Sequence, residues 1–217
     1  MTALLPSRTF CKKLAPQFWL AAVLCLGPAL HAAAQSVSAV PSPSAQLLNS
    51  ERIEQQFGSY GITVLESDEK IRVSNLFSTS AGLKICRTFA VVLYPQQIDS
   101  AFAAEHRLIV NGGSLGAVFA AHGWNVEKSH LHFGQVAASE KVAGLMDTPV
   151  GTQLAVHVYA LAVAKDGSRF DYATLVEVHH PDYLRLHDLV AIYGPLPADG
   201  PARSSAAILG VAAEKMR

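Results

Sequence analysis

The sequence predicts an α+β domain with an antiparallel sheet of about six strands flanked by helices. Two observations carry this prediction. The elements run in the order helix, three strands, helix pair, three strands, and short turn signals join neighbouring strands into hairpins, which predicts a sheet with its helices on one side. Half of the 217 residues are hydrophobic and only 16% are charged, which excludes an intrinsically disordered chain. The net charge is zero and no block of like charge occurs, so no nucleic-acid partner is expected.

The first half of the predicted domain is one helix followed by three strands. The helix runs from Glu51 to Phe57, with Asn49 and Ser50 as its N-terminal cap, and Gly58 ends it. Alternating apolar residues predict the three strands, and a proline ends the third of them. These strands are predicted at 62–66, 71–79 and 83–94.

Two helices separate the halves of the predicted sheet. Asp99 caps the first helix, which runs to about Val110, and the second helix runs from Leu115 to His122 after a glycine-rich turn. Segment 137–150 is ambiguous, and 183–193 is either a short helix or a loop. The second group of strands is predicted at 124–136, 154–164 and 169–178, and the last two form a hairpin around the turn 165–168.

The first 34 residues have the features of a secretory signal peptide. Three basic residues and no acidic residue precede an apolar run from Phe18 to Leu30, and Ala32-Ala33-Ala34 follows as a cleavage site. The alternative, a membrane anchor, needs about 20 apolar residues, more than this run provides. We therefore expect a periplasmic or secreted protein that has no stable membrane insertion after cleavage.

Cleavage after Ala34 changes the charge and the cysteine content of the chain. Three bases and no acids leave, so the remaining chain has a net charge of −3. Two of the three cysteines also leave, and Cys86 alone cannot form an internal disulfide. We expect a flexible Ser/Pro-rich leader at 35–46, a domain at 47–194 and a loose C-terminal tail, with an Ala-rich terminal helix, at 195–217.

Arg72 and Arg87 are placed in the middle of two predicted strands, where an arginine is seldom placed for packing alone. With a two-residue turn at Ala81-Gly82, Arg72 pairs with Val91 and Arg87 pairs with Leu76, which puts both arginines on one face. The guanidinium fork suits carboxylates, so the two side chains could converge on one small anion. Alternatively, one or both point to solvent, since a one-residue slip in register would split them between faces.

Two further features are candidates for chemistry. Glu177 lies among apolar neighbours in the last strand, where it could act as a general acid or base or form a structural ion pair. The turn at Gly112-Gly113-Ser114-Leu115-Gly116 places free N–H groups at the start of a helix, where an anion could bind. A plain turn between helices is the alternative.

The nine histidines raise the question of a metal site. His130 and His132 are two residues apart in one predicted strand and so share a face, His157 lies in mid-strand, and His179-His180 divide between two faces. No compact zinc-binding motif is present, so no metal site is assigned. An exposed strand face is the alternative for His130 and His132, and whether any of the five binds a metal stays open. Cys86 is expected to be a buried small residue.

Several of these features occur together in a known family, and the chain resembles the chorismate lyase-like superfamily over about residues 50 to 185. That group includes chorismate pyruvate-lyase and the ligand-sensing domain of GntR-type transcription regulators. Arg72 precedes Arg87-Thr88 by fifteen residues and Pro95 follows, as in the lyase. The turn at Gly113-Ser114-Leu115-Gly116, before Phe119, is similar to the family's glycine-rich turn, with serine in place of its proline. The remaining similar motifs are Glu54-Gln55-Gln56-Phe57-Gly58 in the first helix, and Glu177 with Pro181 near the end.

The resemblance implies a fold and a site. The fold is a six-stranded antiparallel sheet whose helices close a small internal pocket. Arg72 and Arg87 would hold the carboxylates of the ligand, and Glu177 would act on the leaving or phenolic oxygen. Ser114 and Leu115 would contribute a backbone donor from the turn.

The resemblance also implies two functions. An enzyme of this type eliminates pyruvate from chorismate, or from a related carboxylate, and leaves a hydroxybenzoate without metal or cofactor. A non-catalytic relative would bind a small aromatic carboxylate in the same pocket. Export favours the binding protein, whereas Arg72, Arg87 and Glu177 suit both functions. A purely structural protein would leave these three residues without a shared purpose.

Overall fold

The structure is a computed structural model that describes residues 47–196 and 202–217. The predicted signal peptide (1–34) and leader (35–46) lie outside the described residues, as do 197–201 of the C-terminal segment. In the described part, no helix combines the length and the apolar character needed to cross a membrane.

One antiparallel sheet of six strands forms the centre of the domain. The strands are β1 (Gly61–Ser67), β2 (Ile71–Ser80), β3 (Leu83–Leu93), β4 (Asn125–Ala137), β5 (Gln153–Lys165) and β6 (Ser168–His179). They pair in the order β1-β2-β3-β6-β5-β4, so each half is a three-stranded meander, and β3 and β6 join the halves. The predicted α+β class with a six-stranded antiparallel sheet is confirmed.

The two predicted hairpin turns are present. Ala81 and Gly82 have φ values of 48° and 82°, and Asp166 and Gly167 have φ values of 51° and 80°. Positive φ at both central residues is the type I′ conformation, whose twist matches that of the flanking strands. Gly167, and Gly82 in the first turn, take this conformation without the steric cost that a side chain would add.

The helices agree with the predictions in most places. They are α1 (Asn49–Phe57), α2 (Ala103–Val110), α3 (Leu115–Ala121), α4 (Glu140–Met146), α5 (Leu186–Tyr193) and α6 (Ala202–Met216), with a 3-10 turn at Ser100–Phe102 before α2. As predicted, Asp99 caps this turn, and its carboxylate accepts a 2.9 Å hydrogen bond from the amide of Ala101. The ambiguous segment 137–150 contains α4, and the segment 183–193 contains α5.

Helices cover both faces of the sheet. One face packs against α4 and α6 through residues such as Val91 and Val176. The other packs against α1, α2, α3 and α5 through residues such as Val92 and Leu175. The central strands are buried on both sides, so both faces require a cover, and the expectation of helices on a single side was wrong.

The C-terminal helix is part of the core. Ile208 is 2% exposed and Ala212 is 1% exposed, and both pack against the same cluster as Val142 and Met146 of α4. The sequence suggested a loose terminal helix because its Ala-rich composition carries a weak apolar pattern. The packing shows that α6 covers one face of the sheet.

Candidate functional site

A cavity lies on the sheet face that carries α1 and α3. The strand register places Arg72, Val92, Leu175 and Tyr159 in one row across the sheet, and Ser74, Ala90, Glu177 and His157 in the next row. Because Ser74 and Ala90 are small, a hollow remains between Arg72 and Glu177. The cavity has a volume of about 60 Å³. One water needs only about 10–15 Å³, so the cavity can hold more than a single solvent molecule.

The N-terminal ends of α1 and α3 form the roof of this cavity. Asn49 of α1 lines it, as do Ser114 and Leu115 at the start of α3. A Cβ atom added at Gly116 would lie 2.6 Å from the Leu48 side chain, so glycine at this position lets the two helix ends meet. The starts of α1 and α3, which are distant in the sequence, thus meet and cover this side of the cavity.

Arg72 is a buried cation at one end of the cavity. It is 1% exposed, and its Nη1 donates to the carbonyl oxygens of Ile109 (2.9 Å) and Gly113 (2.8 Å). Its Nε and Nη2 are also buried and make no well-aligned hydrogen bond with the described residues, although the Tyr94 hydroxyl lies beside the guanidinium. No described carboxylate forms an ion pair with Arg72. The Tyr94 hydroxyl is close enough for Arg72 to oppose the rise that burial causes in the tyrosine pKa.

This environment leaves much of the binding capacity of Arg72 unused. A guanidinium offers five N–H donors, and a buried cation without a partner anion is costly. An anion in the cavity could supply the missing charge. The glycine-rich turn, through the carbonyl of Gly113, helps to hold the guanidinium, a role that the sequence did not suggest.

Glu177 lies at the other end of the cavity in a fixed environment. Its Oε1 accepts from Asn49 Nδ2 (3.0 Å) and from the Tyr159 hydroxyl (3.1 Å). Burial, and then the charge of Glu177, raise the pKa of Tyr159 well above its usual value, so this phenol stays protonated and donates. Asn49 was expected to cap α1, but α1 begins at Asn49, and the side chain points into the site instead.

Lys128 is a second cation in the cavity wall. Its side chain is half-buried, and its Nζ lies 5.0 Å from the centroid of the Tyr159 ring. Burial lowers the pKa of Lys128, and the charge of Glu177 opposes this shift. Lys128 was missed in the sequence, although it alternates with Val126, and both residues line the cavity.

Arg87 does not lie with Arg72 in the cavity. Its Nε donates to Ser78 Oγ (2.8 Å), and its guanidinium lies over the Phe57 ring at 3.8 Å. It is absent from the cavity lining, which includes Arg72, Ser114, Leu115 and Glu177. The expectation that the two arginines converge was therefore wrong.

A β-bulge lies at Arg87. The predicted register holds from the pair Ser80–Leu83 to the pair Phe77–Cys86, and then shifts by one residue. Beyond the shift, Leu76 pairs with Thr88, so Arg87 is the extra residue of the bulge. Arg72 consequently faces Val92 instead of the predicted Val91.

A second bulge separates two of the candidate histidines. His130 pairs with Tyr159 and His132 pairs with Val158, so they lie on opposite faces because adjacent residues of β5 alternate. The expectation that His130 and His132 share a face was wrong. His180 also lies apart, and its Nδ1 accepts from the amide of Asp182 at 3.0 Å.

His157 and His179 lie beside Glu177. His157 Nδ1 is 4.0 Å from Glu177 Oε2, and His179 Nε2 is 3.9 Å from the same oxygen. Burial lowers the pKa of His179 to about 4 and that of His157 well below its usual value, so both imidazoles are neutral near pH 7. The buried Cys86 thiol, whose pKa burial raises to about 12, is not a nucleophile.

Comparison with known proteins finds similarity in solved structures only. No protein-family model and no curated protein matches the sequence. The C-terminal domain of Yurk from Bacillus subtilis is 14% identical, with a TM-score of 0.35, over 58% of this chain and 89% of that chain. A GntR-family transcriptional regulator from Enterococcus faecalis is 13% identical, with a TM-score of 0.33, over 58% of this chain and 93% of that one.

A third solved structure is of the same kind. The C-terminal domain of the histidine utilization repressor from Pseudomonas syringae pv. tomato is 10% identical, with a TM-score of 0.39, over 58% of this chain and 95% of that one. The resemblance stated from the sequence includes the ligand-sensing domain of GntR-type regulators, and a GntR-family regulator is among these structures.

Proposed function

We propose that the protein binds a small aromatic carboxylate in the cavity between Arg72 and Glu177. The observation that carries this proposal is the buried guanidinium of Arg72, which among the described residues has two nitrogens without a well-aligned hydrogen bond and no carboxylate in an ion pair. A carboxylate ligand would accept from both nitrogens in the bidentate geometry that arginine favours. The burial of Arg72 would then be compensated by the ligand.

The walls of the cavity suit an apolar ring with polar groups at its ends. Among the described residues, eight leucine, isoleucine and valine side chains line it: Leu48, Ile62, Leu76, Val92, Leu115, Val126, Leu161 and Leu175. Small-molecule sites typically combine such walls with a few convergent polar groups that fix the orientation of the ligand. With the carboxylate at Arg72, the opposite end of the ring would face Glu177, Asn49 and Tyr159, which suit a hydroxyl substituent.

Calorimetric titration with 4-hydroxybenzoate tests this proposal. We expect Arg72→Ala to weaken binding by about 1.5–3 kcal/mol, the range for hydrogen bonds to a charged group. Arg72→Lys should restore it only in part, because an ammonium lacks the planar fork. Arg169→Ala is the matched control, since the Arg169 side chain is 51% exposed and does not line the cavity. Equal affinity in Arg72→Ala and the control would contradict the proposal.

Elimination of pyruvate from chorismate is the second candidate function. The observation in its favour is that the Glu177 carboxylate lines the same cavity as Arg72. It ranks second because Arg87, the expected partner of the second substrate carboxylate, lies outside the cavity. Incubation with chorismate, followed by hydroxybenzoate absorbance, separates the two functions. Turnover that Glu177→Gln abolishes would support the lyase, and binding without turnover would support the binding protein.

The proposed place of binding is the periplasm or the exterior of the cell. The predicted signal peptide supports this, and export also favours a binding protein, since it removes the chain from the cytoplasm where chorismate is made. N-terminal sequencing of the exported protein should begin at Gln35. An intact N-terminus in a membrane fraction would contradict export.

A further inference from the structure

The register of β5 and β6 brings two histidines and one carboxylate together. His157 stands directly opposite Glu177 in the sheet, and His179 follows Glu177 by two residues on the same face. One donor atom from each lies within 4.8 Å of the other two. All three side chains are buried. The cluster has no compact sequence motif, because its residues come from two strands.

The ring nitrogen of each histidine that points away from Glu177 has a neighbour within hydrogen-bond distance. His179 Nε2 is buried without a hydrogen-bond partner among the described residues, and its Nδ1 lies 3.1 Å from Thr88 Oγ1. His157 Nε2 lies 2.8 Å from His130 Nδ1. When the occupied nitrogen of each ring donates to its partner, the other nitrogen presents a lone pair toward Glu177.

This is the arrangement in which histidines bind metal ions. A ligating imidazole donates its second N–H to a fixed neighbour, which sets the tautomer and the ring orientation. The carboxylate is held in the same way, since Asn49 and Tyr159 both donate to Oε1 and leave Oε2 toward the two imidazoles. We propose that His157, His179 and Glu177 form a binding site for a divalent transition-metal ion, with Zn²⁺ as the best fit.

The three donor atoms lie slightly too far apart to bind such an ion, and a small movement of the side chains would bring them to bonding distance. From the three separations, a point equidistant from the donor atoms lies at most about 2.5 Å from each, against the ~2.0–2.2 Å of zinc bonds to nitrogen and oxygen. Small side-chain rotations would close this gap. Two nitrogens and one oxygen favour Zn²⁺, Co²⁺ or Ni²⁺ over Mg²⁺ or Ca²⁺, and leave a fourth position for water.

Two cations near the cluster should oppose the binding of a metal ion. Removing one of them should therefore strengthen binding, whereas removing a ligand should weaken it. The charges of Arg52 and Lys128 both act on the imidazole of His179. Removing one of them should lower the electrostatic cost of adding a divalent ion. We therefore expect Lys128→Met to bind Zn²⁺ more tightly than the wild type, by severalfold, in contrast to the variants that remove a ligand.

Titration of the purified protein, without a polyhistidine tag, with Zn²⁺ and with Co²⁺ tests the site. We expect one equivalent to bind, and Co²⁺ to give visible d–d absorption. Glu177→Gln and His179→Gln should each weaken binding at least tenfold. His187→Gln is the matched control, because the His187 side chain is 75% exposed and outside the cluster, and it should bind as the wild type does.

Two results would overturn the proposal: no stoichiometric binding by the wild type, or ligand variants that bind as tightly as His187→Gln. If a ligand variant fails to fold, X-ray absorption spectroscopy of the zinc-loaded wild type identifies the protein ligands of the ion. Two imidazoles and one carboxylate oxygen support the site, and any other protein ligand set contradicts it. No organic ligand is present in these titrations, so failure here is distinct from failure of carboxylate binding.

Discussion

Arg72 is held by two carbonyl oxygens, and this arrangement keeps its charge available for a ligand. A carboxylate partner within the protein would have satisfied the guanidinium and closed the site to anions. Carbonyl oxygens instead fix its position through Nη1, and Nε and Nη2 have no well-aligned hydrogen bond with the residues that the structure describes. The sequence predicted Arg72 as a binding residue, but not the two carbonyls, because they come from the end of α2 and the turn after it.

The buried histidines make the stability of the fold depend on pH. Burial lowers the pKa of His179 to about 4, whereas its ordinary value is 6.5. His179 therefore binds a proton more readily in the unfolded chain than in the folded one. Its contribution to the free energy of unfolding is present above pH 6.5 and is lost as the pH falls toward 4. At pH 5 we expect the free energy of unfolding to be lower than at pH 7.5 by about 2 kcal/mol from His179 alone.

Urea denaturation at the two pH values, with a chelator present, measures this dependence. His130 and His157 should act in the same direction, because burial lowers their pKa values too. His179→Gln should reduce the difference between the two pH values, whereas the exposed His187→Gln should leave it unchanged. Equal pH dependence in the wild type and His179→Gln would show that His179 is not a buried neutral group.

Much of the element plan could be predicted from the sequence. The hairpin turns, the six strands and the helix boundaries at Asp99 and Gly58 follow from local signals that reside in a few neighbouring residues. The β-bulges could not be predicted, because an extra residue in one strand depends on the partner strand. The bulge at Arg87 changed the predicted pairing of β2 with β3, and the bulge in β4 put His132 on the face opposite His130.

The residues of the cavity show the same limit of prediction from sequence. Arg72, Glu177, Ser114 and Leu115 were identified because charged residues in apolar strands and glycine-rich turns are visible locally. Lys128, Tyr159 and Asn49 were missed, since they join the cavity only through the pairing of strands and the docking of α1. The cluster around His157 was missed for the same reason.

The C-terminal helix offers a test at the scale of a single element. Ile208 is buried against the sheet, so Ile208→Ala should lower the free energy of unfolding by about 2–4 kcal/mol. Gly210 lies in the same helix with nothing within 4 Å of an added Cβ, so Gly210→Ala should raise it by about 0.5–1 kcal/mol. Urea denaturation measures both. If neither changes stability, α6 is not part of the cooperative fold.

At the scale of the whole molecule, the sheet serves two separate purposes with its two faces. The face under α4 and α6 packs as an apolar core. The face under α1 and α3 carries the cavity and its buried polar groups, including Arg72, Glu177 and His157. Substitutions in the first face should therefore alter stability alone, whereas those in the second face should alter ligand binding as well.

A crystal structure with 4-hydroxybenzoate bound is the most direct test of the central claim. We predict that the ligand lies in the cavity, with its carboxylate accepting hydrogen bonds from Nε and Nη2 of Arg72 and its hydroxyl toward Glu177. A ligand bound elsewhere at saturating concentration, or an Arg72 whose free nitrogens are paired with a carboxylate of the protein, would contradict the account.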